Sequence, residues 1–587
     1  MRPPGAAPGG MGAPRWPLEG PGDPRAGLVE SVVLAAAGLV AVAAVGIWLV
    51  GQIAGALFGA GWPTVGAGDV AGVLVRLPSH LGDPRQAWPA VTQPGLPGAG
   101  GFYAALAVLG LVAAVLALVG LRVLRRVRPL AGPQQRRRER GASWARRSEL
   151  RPLLVNRPQP GRLTLGRVSV RLVAAEERQS VIVVAPTQSL KTTGLAIPAL
   201  LEWEGPVLAA SVKTDLLRDT LARRRALGEV FVFDPTQTTG LPGSGWTPLA
   251  GCQTWQGAQR TATWLCAAAR TGGSSLADAD FWYAAAAKLL APVVFAAASS
   301  GASMADVVRW IDTQEQGEVK DALIAAGVEA ALLAAEATWQ RDERQRSSIY
   351  TTTETVLAAY ADPGVLQSAE LAELTPQRLL DGGAHTAYLC APAHEQQRLR
   401  PLFATLIQDV VAAVYERAAR TGAPLDPPLL VILDEAANIA PLRDLDVLAA
   451  TGAGQGIQLV SVFQDLAQLK ERWGERAQTI VNNHRAKILG AGTSDPHTLE
   501  LAARVLGDEE IRQTSATAGH EGHGSTTEST TWRALAPAHV LREARPGTGV
   551  LIYGHLPPAQ LDLRPWFADR QLRELATAPP VPRRSPA

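Results

Sequence analysis

The chain reads as an α/β protein that carries an all-helical insertion and has two membrane-spanning helices ahead of its core. Three observations predict this. From residue 160 onward, short aliphatic runs alternate with helical stretches, the pattern of a sheet whose strands are buried on both faces. Between the third and fourth of these runs, Trp255 to Leu380 has almost no strand signal, and Ala-rich stretches such as Phe281–Ala298 and Ala322–Gln340 dominate it. Ahead of the core, Ser31–Gly51 and Phe102–Leu121 are uncharged and long enough to cross a bilayer.

At 587 residues and 47% hydrophobic content there is room for several domains and a large core. Residues 1–26 are rich in Pro and Gly and are expected to form a disordered tail. The first uncharged run exceeds the apolar core of a usual signal peptide, so residues 27–128 are read as an uncleaved anchor with spans at about 31–51 and 102–121. The Pro/Gly-rich loop 62–100 between them carries only Asp69, Arg76, Asp83 and Arg85 as charges. The second run ends in Arg122, Arg125, Arg126 and Arg128, followed by Arg136, Arg137, Arg138, Arg140, Arg146, Arg147 and Arg151. By the positive-inside rule that flank and the C-terminal bulk are cytoplasmic, and two spans return the N-terminus to the same side. The basic linker 129–159 is a topology signal resting on anionic headgroups; the sharper alternative gives the same arginines DNA phosphates to hold.

The net charge of +3 names no partner, and only six of the basic residues are Lys, a bias that Arg counting must discount. Cys252, Cys266 and Cys390 have neither disulfide nor zinc spacing and suit a reducing cytoplasm. The α/β core is expected over 160–254 and 381–570, interrupted by the all-α insert 255–380, with a tail at 571–587. Its strands are read at Val181–Val184, Val207–Ala210, Val230–Phe233, Thr386–Cys390, Leu429–Leu433, Leu459–Phe463, Ala486–Leu489 and Gly549–Tyr553. Residues 514–531 are polar throughout and read as a flexible loop, with His520 and His523 solvated rather than metal-bound.

The first of these strands carries the chemistry. Val181–Val184 runs into Ala185, Pro186, Thr187, Gln188, Ser189, Leu190, Lys191, Thr192 and Thr193. A buried strand, a tight loop and a helix opened by Lys-Thr is the layout of a phosphate-binding loop, whose N–H groups form an anion nest. Lys191 would reach the β- and γ-phosphates of ATP, and the Thr192 hydroxyl would sit on Mg²⁺. Ala185 and Leu190 stand where the pattern G-x-x-x-x-G-K-[ST] has Gly. At position 190 a left-handed Leu costs about 1–2 kcal/mol.

A second apolar strand, Leu429–Leu433, ends in Asp434 and Glu435. Adjacent carboxylates at a strand's C-terminal end match a Walker B element, Asp434 holding the metal shell and Glu435 polarising water. A third, ending at Phe463, delivers Gln464, a candidate γ-phosphate sensor in the same crevice.

Several runs give the chain its resemblance to a known family: Thr193–Leu201, Ser211–Asp215, Val232–Pro235, Phe281-Trp282, Arg346–Tyr350, Leu433–Asn438, Gly454–Ile457, Gln464–Gln468, Asn482–Lys487, Pro557-Pro558 and Arg564–Trp566. From about 28 to 570 the chain resembles the type IV secretion coupling proteins, the TraG/TraD family of conjugative DNA-transfer ATPases. The resemblance implies a RecA-like P-loop NTPase domain in a membrane-anchored homo-hexamer that uses ATP and Mg²⁺. It implies as partners single-stranded DNA with its relaxase, or secreted protein substrates, and the type IV secretion channel. By position it makes Lys191, Glu435 and Gln464 catalytic and Thr192 and Asp434 metal-binding. Some members carry an Arg before the Gln-bearing strand, where this chain reads Thr451–Gly456 without one; Arg485 and Arg504 are possible substitutes. Two other readings compete: a substrate-docking platform impaired in hydrolysis, favoured by Ala185 and Leu190, and a septal-type DNA translocase, disfavoured by the lack of a basic reader after Leu556.

Overall fold

A computed structural model describes residues 44–66, 68–127, 141–270, 277–518 and 524–577. The expected tail 1–26, the start of the first span, residues 128–140 of the linker, His520, His523 and residues 578–587 lie outside these. The chain divides into two compact units at Arg136/Arg137.

In the first unit an apolar helix, Ala44–Phe58, covers the end of the first expected span and continues past Gly51, since no charge interrupts it. The second expected span lies within the helix Ala99–Val127, whose Leu111, Leu116 and Leu118 are exposed. The segment 62–100, read as a Pro/Gly-rich loop, is in fact structured. It holds a helix at Asp69–Arg76 and three 3₁₀ turns gathered around buried Trp88. Trp88 meets Phe102 edge-on at 5.1 Å. A Cβ on Gly51 would lie 2.8 Å from the Trp88 ring, so that glycine permits the contact.

The second unit is built on strands β1 (Leu154–Val155), β2 (Thr164–Val168), β3 (Arg171–Ala174), β4 (Val181–Val184), β5 (Val207–Ser211), β6 (Val230–Phe233) and β7 (Thr386–Cys390). They continue with β8 (Leu429–Leu433), β9 (Ile457–Phe463), β10 (Ala486–Gly490), β11 (Asp508–Ala518), β12 (Gly524–Ala534), β13 (Thr548–Tyr553) and β14 (Ala559–Asp562). Twelve form one sheet in the order β1-β3-β2-β14-β13-β10-β4-β9-β8-β5-β7-β6. From β10 to β6 neighbours run parallel, and from β10 back to β1 they run antiparallel. All eight strands expected from the sequence are present. Ile182 and Val184 enter one apolar cluster and Val181 and Val183 another, so period-two alternation fills a layer on each face.

Among the described residues no strand lies between β6 and β7, where helices from Trp255–Ala269 to Pro376–Leu379 follow one another. The helix Ala277–Ser300 is apolar enough for a membrane, yet Leu289, Leu290 and Val294 are buried in the cluster that lines one face of the sheet. Three expectations are corrected. Residues 141–159, assigned to a linker, fold onto the core: Leu150 and Leu153 are buried and β1 closes the sheet edge. Of residues 514–531, read as a flexible loop, 514–518 and 524–531 belong to strands β11 and β12, paired from Asp508↔Ala534 to Ala518↔Gly524. Thr and Ser pair well across strands without any apolar alternation to announce them. Residues 570–577, placed mostly in the tail, form a helix anchored by fully buried Leu572.

Candidate nucleotide site

Strands β4, β9, β8 and β5 are consecutive and parallel, so their C-terminal ends deliver Ala185, Gln464, Asp434 and Ser211 to one crevice. The loop after β4 turns tightly. Gln188 and Leu190 both hold positive φ, 61° and 64°, and Leu190 therefore adopts the left-handed backbone that its position requires of the pattern's Gly. Thr187 and Gln188 are exposed at the tip, while Pro186, Leu190 and Thr193 are half-buried. Ser189 is buried, its hydroxyl without a hydrogen-bond partner, and its carbonyl accepts from Gly547 N–H at 3.2 Å. Ala185 is accommodated from the neighbouring strand: a Cβ on Gly490 would lie 2.5 Å from the Ala185 Cβ.

Lys191 is buried and its ammonium donates to the Pro186 carbonyl at 3.0 Å, closing the loop on itself. Burial holds its pKa below the usual lysine value, against the pull of nearby Asp434 and Glu435. Thr192 opens a π-helical turn, Thr192–Ala196. The C-terminal segment docks on that turn, Trp566 N–H donating to Thr193 O at 3.0 Å and Arg564 N–H to Gly194 O at 3.1 Å. A Cβ on Gly194 would meet Leu563 Cβ at 2.8 Å, so the approach is close. The Arg564 guanidinium is buried between Glu202 at 2.6 Å and Asp569 at 3.1 Å.

Asp434 is buried where the ends of β8 and β5 meet the loop. Its Oδ2 accepts from Thr192 Oγ1 at 3.2 Å and from Ser211 Oγ at 3.2 Å. Burial, with Glu435 adding repulsion, pushes its carboxyl up to about 6. Glu435 is half-buried and left-handed at φ 61°, and Asn438 Nδ2 donates to it at 3.4 Å. Gln464 is half-buried; its N–H donates to Gln468 Oε1 at 3.3 Å, and its side-chain amide has no partner among the described residues. Of the two arginines considered for a neighbouring subunit, Arg485 is engaged with Glu176 and the Tyr553 ring, whereas exposed Arg504 has only Glu500 at 3.9 Å.

The donors fit the expected ligands. Thr192, Ser211 and Asp434 present hard oxygens suited to a small divalent cation. Lys191 and the loop amides suit phosphate, and the partnerless Ser189 hydroxyl lies in the same loop. Sequence reasoning named the run Ser211–Asp215 but missed Ser211 as a site residue; a polar residue closing a buried strand was the available signal. Nothing in the sequence marked the π-turn or its docking partner.

Comparison with known proteins agrees. Residues 142–581 match the family described as Type IV secretory system Conjugative DNA transfer. A conjugal transfer protein TraG of Escherichia coli is 27% identical over 328 residues, 50% of this chain and 49% of that protein. The protein VirD4 of Agrobacterium fabrum is 25% identical over 424 residues, 68% of this chain and 60% of that one. The chain thus spans about half to three fifths of the curated relatives it matches. The solved bacterial conjugative coupling protein TrwBdeltaN70 shares the fold with a TM-score of 0.57 at 18% identity, over 72% of this chain and 93% of that chain. The plasmid coupling protein TrwB in complex with ADP and Mg²⁺ gives a TM-score of 0.56, also at 18% identity, over 73% and 94%. Sheet, helical stretch and sequence match converge: the chain belongs to the type IV secretory system conjugative DNA transfer family.

Proposed function

We propose that this protein is a membrane-anchored coupling ATPase that recruits DNA-relaxase or protein substrates and drives them into a type IV secretion channel. The observation that carries the reading is the cluster of Lys191, Thr192, Ser211 and Asp434 at the C-terminal ends of parallel strands β4, β5 and β8, with Leu190 held left-handed beside it. In this reading Lys191 and the amides of residues 186–193 bind the phosphates of ATP. Thr192, Asp434 and Ser211 hold Mg²⁺, which supplies charge neutralisation when bound. Glu435 orients and deprotonates water, and Gln464, which follows β9 between the loop and Asp434, senses the terminal phosphate. The Mg-ADP complex of a protein with this fold supports the choice of ligands. The uncharged stretches Ala44–Phe58 and Ala99–Val119 serve as the anchor, and the active form is a homo-hexamer. Single-stranded DNA or protein cargo reaches the helical stretch 255–380 from the cytoplasm.

The docking-platform reading rests on Ala185 and Leu190. One experiment separates the two: ATP affinity and hydrolysis by the full chain in detergent, with and without single-stranded DNA. Lys191→Ala is expected to abolish nucleotide binding, and Glu435→Gln to spare it while slowing hydrolysis about 10²- to 10⁴-fold. Wild-type protein that fails to bind ATP at millimolar concentration would establish the platform instead.

A further inference from the structure

The nucleotide site leaves unused a cluster of arginines at the β1–β3 edge of the sheet. A cleft of about 520 Å³ is lined by Arg147, Ser148, Arg151, Leu154 and Arg171. Three of its five lining residues are cationic and none is acidic. Among the described residues Arg147, Arg151 and Arg171 make no ion pair, although ion pairs are common elsewhere on this surface. The Nε of Arg171 is buried and has no acceptor. The rest of the Arg171 guanidinium likewise has no partner among the described residues, which leaves the fork that lines the cleft free for an anion's oxygen.

The cleft is held by folded structure rather than by loose side chains. Arg147 and Arg151 stand on a turn whose Leu150 and Leu153 are buried in the core. That turn is closed by Leu150 N–H to Arg146 O at 3.3 Å and Leu154 N–H to Leu150 O at 3.1 Å. Leu154 lies on β1 and Arg171 on β3, and the two strands pair antiparallel at Leu154↔Val173. The outermost pair of strands therefore frames the cleft.

Chain order points to the ligand. The apolar helix ends at Val127 and the folded core resumes at Gly141. Thirteen residues lie between them in the sequence. The Arg147 turn follows soon after in the second unit, and the intervening sequence is itself rich in Arg. A polyanion met at this point of the chain is the inner-leaflet surface, whose headgroups offer a phosphodiester to a fork of guanidiniums.

We infer that Arg147, Arg151 and Arg171 form a binding site for the phosphate of an anionic phospholipid headgroup. The inference rests on the membrane-anchored reading above. The site fixes the β1–β3 edge of the core to the membrane surface, in addition to the covalent tether.

The test is native mass spectrometry of the full chain released from detergent, titrated with phosphatidylglycerol, phosphatidylcholine, inorganic phosphate or a single-stranded oligonucleotide. Each arginine near an anionic surface contributes about fivefold in affinity. Wild type is expected to retain phosphatidylglycerol over phosphatidylcholine. The triple variant R147Q/R151Q/R171Q should lose at least tenfold of that retention, while the arginines of residues 122–140 remain in both proteins. R171Q alone should lose about fivefold, and its unchanged melting temperature would show that the fold is intact. Equal retention of the two lipids by wild type overturns the site, as does phosphatidylglycerol retention unchanged by the triple substitution. Loss of oligonucleotide binding with lipid retention intact overturns it in favour of nucleic acid, and saturation by inorganic phosphate with no lipid preference overturns the headgroup. Flotation with neutral vesicles separates the two readings. A chain that does not float defeats the anchor itself, whereas one that floats but shows no headgroup preference defeats only this site.

Discussion

At the scale of single residues, the phosphate-binding loop keeps its geometry through two departures that have different physical solutions. Leu190 takes the left-handed backbone at φ 64° and bears the strain. That strain is present before any nucleotide arrives, so replacing Leu190 by Gly should stabilise the fold by about 1–2 kcal/mol in urea unfolding and leave nucleotide affinity nearly unchanged. Unchanged stability would mean that the loop does not hold this backbone in solution. Ala185 is solved instead by its neighbour, because Gly490 leaves the space that its methyl occupies. Gly490→Ala should cost about 1–3 kcal/mol in urea unfolding, and the double variant Ala185→Gly/Gly490→Ala should recover most of it. Additive losses would show that the two positions are not coupled. Asp434, Glu435 and Gln464 stood out in the sequence because apolar runs end just before them, and Lys191 because Lys-Thr follows a tight loop after the apolar run Val181–Val184. Ser211 was not, since its role depends on a hydrogen bond to Asp434 across a strand pairing that no local pattern reveals.

Strands β4 to β10, including β6 at one edge of the sheet, were legible as mostly apolar runs, with bounds off by one or two residues at β5, β9 and β10; the short strands at the other edge were not. β2, β3 and β14 are short, with Thr, Arg, Gln and Asp among their residues, and the long hairpin of β11 and β12 is mostly Ser, Thr and charge. The run Asn482–Lys487 shows what such a motif does once folded. Burial pushes the His484 ring down to about 4 and keeps it neutral, with Nδ1–H donating to Ile480 O at 2.7 Å and Nε2 accepting from Ser461 at 3.1 Å. The ring thus ties the helix Arg476–Asn483 to β9, the strand that delivers Gln464. In the unfolded chain His titrates near 6.5, so as pH falls the unfolded state takes the proton first. The stability from this site is fully present above about pH 6.5 and is lost between 6.5 and 4, up to about 3 kcal/mol. Melting temperature against pH should fall across that window in the wild type and fall less steeply in His484→Gln. Equal slopes for the two proteins would place the acid sensitivity elsewhere.

At the scale of the molecule, the two compact units make a clear expectation for a protein lacking residues 1–136. The remaining α/β unit holds its own core, so it should be soluble without detergent and bind nucleotide with the affinity of the full chain. Its self-association should weaken, because the apolar helices no longer concentrate neighbours. Sedimentation at low micromolar concentration reads this directly, and an undiminished hexamer would remove that role from the helices. Overall architecture was legible from the order of strands and helices along the chain. That the helical stretch has no apolar core separate from the sheet's was not, because its Ala-rich surfaces look alike on every side until the sheet selects one. Leu289, Val294 and Phe295 pack in the same cluster as Leu208, Phe233 and Leu433. In mechanical terms that shared cluster is a weld. Under the proposed coupling-ATPase reading, a load on the helical surface would reach the strand ends with little give, and the whole folded unit would act as the lever.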